Sequence, residues 1–363
     1  SMSKAAQLAA LIGSGQAQSN RNTIINGAMN VAQRGTSTAS LSSGNNFVLD
    51  RFKLAPINAG TWTMSQSTTV PTGQGFSHSL KLDCTTADTS FGSTDALVLQ
   101  QLIEGQNVQQ FAFGTSDAKS VTVSFWIRSN KTGTYTLELQ QQNSSNGFYQ
   151  NAKTFTISSA NTWEKKETTF VGNTSQNIIN TNAVGFYVTI WLGTGTSRTS
   201  GTFTNGTWHN TNANRVSSSN VNLADSTNNE LYLTGLQLEI GDVATAFEHE
   251  DFGTTLRKCQ RYFVNNNGQG DGGGINMARS VYANAADGVT NFPVEMRANP
   301  TITFFDAANT AGALTENGAA NGRASTALYV SRTTVSRASS SAFSTSAGAG
   351  YHIQGTYKAD AEL

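Results

Sequence analysis

Two polar stretches set flat aromatic rings among amides and hydroxyls, the residue types that recognise sugars. NGTWHNTNAN carries Trp208 with no apolar neighbour, and NSSNGFYQN carries Phe148 and Tyr149. A ring face can lie on the C–H surface of a sugar while Asn and Gln meet its hydroxyls. Each position also has a plainer use. Trp208 would anchor its loop against the end of the fold, and Phe148 and Tyr149 would pack a hairpin. A fourth aromatic lies in SVTVSFWIRS, where Val121, Val123, Phe125 and Ile127 alternate with Ser120, Thr122, Ser124 and Trp126. Period two turns Trp126 away from the core side, toward an outer surface or a subunit interface. Trp62, Trp163 and Trp191 lie in strand-like runs and are read as packing. Trp208, Tyr149, Phe148 and Trp126 are therefore the candidates for carbohydrate contact.

Catalytic patterns are sparse. The densest acidic cluster, Glu248, Glu250 and Asp251 beside His249, reads as solvated charge in a linker. Glycoside cleavage needs two carboxylates facing each other about 5–9.5 Å apart, and no E-x-D-x-x-E pattern marks such a pair. His78, His209, His249 and His352 are scattered without metal-ligand spacing. No G-x-S-x-G or H-E-x-x-H occurs, and GQGDGGG lacks the strand–loop–helix setting of a phosphate loop. The expectation is a protein without catalytic residues or cofactor.

The elements that would position the aromatics are β-strands. Only 13% of the 363 residues are charged, against about 25% in ordinary soluble domains. The polarity comes from Ser, Thr, Asn, Gln and 34 Gly, a surface insensitive to salt screening. Basic and acidic residues number 23 each, without the clustered Lys/Arg that nucleic acid requires, so nucleic acid is not an expected partner. No run approaches the roughly 20 apolar residues that span a bilayer, and no membrane insertion is expected. Cys84 and Cys259 stand too far apart in sequence to read a framework and are expected as buried hydrophobes.

Alternating or buried runs fall at Phe47–Leu54, Thr61–Ser67, Ser79–Cys84, Ala96–Ile103, Ser120–Arg128, Thr134–Gln140, Lys153–Ile157, Trp163–Phe170, Val184–Leu192 and Glu230–Ile240. Gly, Asn and Ser turns separate them, which predicts an all-β protein whose main domain is a jelly-roll β-sandwich. The segment from Gly193 to Asn229 is nearly free of aliphatic residues, so it is read as functional or disordered, with room for a hairpin at Thr202–Trp208. The organisation expected is a short N-terminal helix (residues 3–12) and linker over 1–22, for attachment or trimerisation. A jelly roll over 23–250 follows, then a hinge with a short amphipathic turn over 251–274 and a smaller C-terminal β-sandwich domain over 275–363. Strands in that last domain are expected at Ser280–Ala283, Thr290–Glu295, Thr301–Asp306, Ala327–Ser331, Thr333–Arg337 and Gly350–Lys358.

Three stretches carry a resemblance. INGAMNVAQRGTS (Ile25 to Ser37), NFVLDRFKL (Asn46 to Leu54) and LQLEIGDVATAFEHEDFGTTLRKCQRYF (Leu236 to Phe263) are similar to segments of bacteriophage tail-fibre and receptor-binding structural proteins. That family's form is N-G-x-M-x-x-x-Q-R-G followed by D-R-W, with Phe52 here in place of the Trp. The ending YKADAEL is similar to the family's chain ends. The order of a D-R strand, SFWIRS, TWEKKETTF and LQLE also resembles jelly-roll carbohydrate-binding modules. The resemblance implies a virion tail component, made in the host cytoplasm without a signal peptide and extracellular after lysis. Its expected partners are host cell-surface polysaccharide and other tail proteins, its expected assembly a homotrimer, and a structural calcium belongs to the same expectation. Two other functions stay open: a polysaccharide depolymerase, and a structural tail adaptor or decoration protein without a glycan site.

Overall fold

The computed structural model describes residues 20–266, 275–279, 285–316, 320–341, 343 and 350–363. The helix expected at 3–12, the glycine-rich stretch at 268–274 and the strand expected at 280–283 lie outside them. The described residues through Phe252 pack as one compact unit and those from Gly253 to Glu362 as another.

The first unit is a two-sheet antiparallel sandwich. Its strands are β1 (Ser37–Leu41), β2 (Asn46–Phe47), β3 (Phe52–Ile57), β4 (Thr61–Ser67), β5 (Ser79–Thr86), β6 (Ala96–Glu104), β7 (Val121–Ser129), β8 (Gly133–Gln142), β9 (Phe148–Ile157), β10 (Glu164–Phe170), β11 (Val184–Thr194) and β12 (Glu230–Ile240). Sheet 1 runs β1-β4-β5-β12-β7-β10 and sheet 2 runs β2-β3-β6-β11-β8-β9. The chain passes back and forth between the sheets, as a jelly roll does. Alternation decides which side chains are enclosed. Val121, Val123, Phe125 and Ile127 of β7 are fully buried while Trp126 is only half-buried on the opposite face. Facing them across the core are Tyr135, Leu137 and Leu139 of β8 and Phe186, Val188 and Ile190 of β11.

The residues that carry the family-like motif build a buckle under this core. Buried Asn26 donates to the carbonyls of Val31 (2.9 Å) and Asp50 (3.0 Å) and accepts from Val31 N–H (2.9 Å). The fully buried Asp50 accepts from Gln33 N–H (2.6 Å) and Gln33 Nε2 (2.7 Å). Buried Arg51 donates to the Leu102 carbonyl on β6. Gly27 is the one residue that fits its place, since a Cβ there would lie 2.2 Å from the Leu236 carbonyl oxygen. Asn26, Met29 and Arg51 hold left-handed backbones (φ 63°, 60° and 72°). These conformations cost on the order of 1–3 kcal/mol each unless the surroundings fix them. The motif is therefore a folding element.

Several expectations change. Glu248, read as solvated, is a clasp: its carboxylate accepts from the backbone N–H groups of Asn20 (2.7 Å) and Asn22 (2.8 Å). Gln237 accepts from Glu248 N–H (2.8 Å), and Thr23 N–H reaches the Leu238 carbonyl (2.9 Å). Backbone donors, not water alone, are what this carboxylate meets. Phe148 and Tyr149 lie on β9 itself, paired with Gln142 and Gln141. The turn sits just before them, at Asn143–Gly147, where Asn143 Oδ1 caps Ser145 and Gly147 N–H. No hairpin forms at Thr202–Trp208. Instead Asn205 and His209 make single bridges to Ala152 and Gln150 on the edge of β9, which satisfies that edge. The strand expected at Thr290–Glu295 ends at Asn291, one residue before Phe292 turns into the core.

The second unit opens on helix α1 (Phe252–Gln260), with Thr255 and Cys259 buried. Its strands are β13 (Phe263–Asn265), β14 (Ile275–Arg279), β15 (Ala285–Asn291), β16 (Thr301–Phe305), β17 (Ala313–Glu316), β18 (Ala320–Ala324), β19 (Thr326–Val330), β20 (Thr334–Ser339) and β21 (Gly350–Asp360). The long β21 serves two sheet segments. Its first half pairs with β14 and β17, and its second half with β13 and β16. Together they enclose Val264, Ile275, Phe304, Leu314, Val335, Ile353 and Tyr357.

Candidate functional site

The outer face of sheet 2 gathers most of the chemistry. On β11, Phe186, Val188 and Ile190 point into the core, so Tyr187, Thr189 and Trp191 must point out. Register sets Tyr187 beside Gln140 of β8, Gln140 beside Gln150 of β9, and Gln142 beside Phe148. Phe148 stands 43% exposed and meets Tyr187 edge-on, with ring centroids 6.3 Å apart. Gln100 of β6 donates to the Thr189 hydroxyl (2.9 Å).

The segment between β11 and β12 covers the other end of this face. It delivers Arg215, whose Nε and Nη2 each donate to the Glu138 carboxylate at 2.8 Å. Glu138 is fully buried and also accepts from Trp191 Nε1 (3.1 Å). Arg198 and Arg215 lie over the Trp191 ring at 5.5 and 5.2 Å. Trp191 is thereby closed off, packed with Ala55, Ala96, Val98 and Val216. Burial alone would lower the Arg215 pKa, but the Glu138 charge and hydrogen bonds outweigh it and the guanidinium is held more firmly charged. Burial pushes the Tyr187 hydroxyl up, with the Arg215 charge opposing. Tyr187 is therefore a neutral hydroxyl through the physiological range. At the rim, burial and then Arg215 hold the His209 pKa below its usual value, against the pull of Glu138 and a backbone hydrogen bond with Thr211. His209 Nδ1 accepts from Thr211 N–H (3.2 Å), and Nε2 is buried without a protein partner.

This arrangement can offer ring faces, amides and hydroxyls to a neutral ligand. The Glu138 carboxylate is committed to Arg215 and Trp191. Among the described residues no group of three or more His, Cys, Asp or Glu side chains could hold a metal ion, so a calcium site gains no named ligands.

The four aromatics singled out from the sequence stand in different places. Phe148 lies on the face just described, while Tyr149, one residue on, points to the opposite side of β9 with Gln141. Trp208 directs its indole N–H to the Val171 carbonyl (2.8 Å) and its ring against Phe113 (5.5 Å, T-shaped), at the margin of the sandwich core. Trp126 lies on the outer face of sheet 1, between Lys165 of β10 and Thr234 of β12. Also on β12, Tyr232 is enclosed by Arg128 (4.8 Å), Lys81 (5.6 Å) and the edge of Trp163 (6.2 Å). Its hydroxyl donates to Glu230 (3.0 Å), which also binds Lys81 (3.1 Å). Tyr187, Gln140, Glu138 and Arg215 were missed. The alternation in GFYVTIW was a usable signal for Tyr187. Nothing local marked Arg215, which lies 77 residues from Glu138.

No family model matches the chain, and no curated protein matches it. Solved structures similar to it include the enzymatically active domain of bacteriophage CBA120 tailspike protein 4, with a TM-score of 0.32 and 12% identity over 61% of this chain. The chain spans only 22% of that structure. Another is the C-terminal family 22 carbohydrate-binding module of Clostridium thermocellum Xyn10B, with a TM-score of 0.31 and 12% identity over 58% of this chain and 97% of the module. TmCBM61, solved with β-1,4-galactotriose, has a TM-score of 0.28 and 9% identity over 61% of this chain and 100% of its own. At these scores the functional argument rests on the residues themselves.

Proposed function

We propose that this chain is a phage virion structural protein of the tail-fibre or receptor-binding type, and that the outer face of sheet 2 holds a host-surface glycan without cleaving it. The observation that carries the glycan reading is the exposed Phe148 set edge-on to Tyr187 beside Gln140. Ring faces bind sugar C–H surfaces, and amides bind the hydroxyls around them. The virion reading is supported by the motif residues at 25–54 and 236–263. A homotrimer joined to other tail proteins is the assembly this reading calls for, because many weak sites on one fibre gain avidity.

Binding of purified chain to host cells and their extracted polysaccharide tests it. Wild type should bind, Tyr187→Ala should bind weakly, and Trp126→Ala should match wild type. Release of reducing ends from the polysaccharide would replace this reading with a depolymerase. Binding indifferent to Tyr187 and Phe148 would leave an adaptor or decoration role. Light scattering reads the assembly separately.

A further inference from the structure

The second unit carries a pocket of its own, ≈ 610 Å³ in volume, within the roughly 300–1,000 Å³ of small-molecule sites. Its floor is the outer surface of β13, β21 and β16. Tyr357, Ala359 and Phe304 point into the core, so Lys358, Asp360 and Thr303 are turned outward by alternation. Register sets Lys358 opposite Thr303, and Asp360 opposite Thr301. Asn299 adds an amide at the rim. The Lys358 ammonium rests over the Phe305 ring at 5.0 Å, which fixes its position. Among the described residues, no carboxylate forms an ion pair with it.

We propose that this pocket binds a carboxylate-bearing sugar, with Lys358 receiving the carboxylate and Thr301, Thr303, Asn299 and Asp360 the ring hydroxyls. Arg297 also lines the pocket, but its Nε and Nη2 donate to the Ala361 and Glu362 carbonyls (2.8 and 3.0 Å). Lys358 among hydroxyl, amide and carboxylate groups suits a polyhydroxylated sugar with one carboxylate per ring better than a phosphate dianion, which Asp360 would repel more strongly. The site stands independently of the sandwich face and does not depend on that reading.

Titration calorimetry of the full chain with tri-galacturonate, and with galactotriose as the uncharged counterpart, tests the proposal. Tri-galacturonate should bind and weaken with salt, and galactotriose should bind far less. Lys358→Met keeps the stem over Phe305 but removes the charge, and should weaken tri-galacturonate about tenfold. Thr303→Val, a change of similar shape, should weaken it less, and Tyr187→Ala should leave it unchanged. No binding, equal binding of the two sugars, or indifference to both pocket variants would overturn the proposal. Loss of tri-galacturonate binding in Tyr187→Ala alone would place the acidic sugar on the sandwich and overturn it too.

Discussion

The two outer faces of the sandwich hold nearly the same residue types and use them differently. On sheet 1, Tyr232 has cations on its ring, a carboxylate on its hydroxyl and Trp163 at its edge. On sheet 2, both arginines lie over Trp191, and Tyr187 with Phe148 is left at the surface. An aromatic ring is a recognition element only where the protein has not already covered its face. Residue type is shared between the faces, and the arrangement of charge separates them.

The largest test of this contrast is Arg215→Ala. It strands the buried Glu138 carboxylate and should cost about 3–5 kcal/mol in urea unfolding. Arg128→Ala on sheet 1, where Glu230 keeps Lys81 and solvent, should cost only about 0–1 kcal/mol. A double change of Glu138→Gln with Arg215→Met should recover much of the loss. Next comes Trp208→Ala, which removes a half-buried ring and the bond to Val171. About 2 kcal/mol of stability should go, less than the 3–5 of a fully enclosed Trp. Glycan affinity should fall only by way of that instability, so it should persist at low temperature. Tyr187→Ala should do the reverse, weakening host-polysaccharide binding about tenfold with little change in the unfolding midpoint, while Tyr232→Ala should leave binding intact. The smallest effect is a pH dependence. The folded-state pKa of His209 lies below its unfolded value near 6.5. Its share of stability is thus present above that pH and lost as pH falls through the folded value. Thermal midpoints measured on the acid side of neutrality should fall less in His209→Gln than in wild type.

Much of this fold was written in local pattern. SVTVSFWIRS declares its buried and outward sides, and the structure sets Trp126 outward as the alternation requires. The surface around Tyr187 was less legible because it is made by register. Phe148 and Tyr187 meet only because β8 lies between β9 and β11, and no window of sequence contains that order. Phe148 was noticed for its polar neighbours, yet those neighbours form a turn and β9 supplies the geometry. Glu248 was misread for a related reason. Its partners are backbone N–H groups more than 220 residues away, and a backbone donor leaves no mark in composition.

That clasp has a mechanical consequence. The strand of chain entering the sandwich at Asn20 and the strand leaving it after Glu248 are fastened side by side, with Asn22 also tied to β12. Tension between residues 20 and 250 would therefore open the carboxylate clasp one bond at a time before it reached the sheets. Glu248 would act as a fuse, yielding slack under load while the outer face of sheet 2 kept its shape.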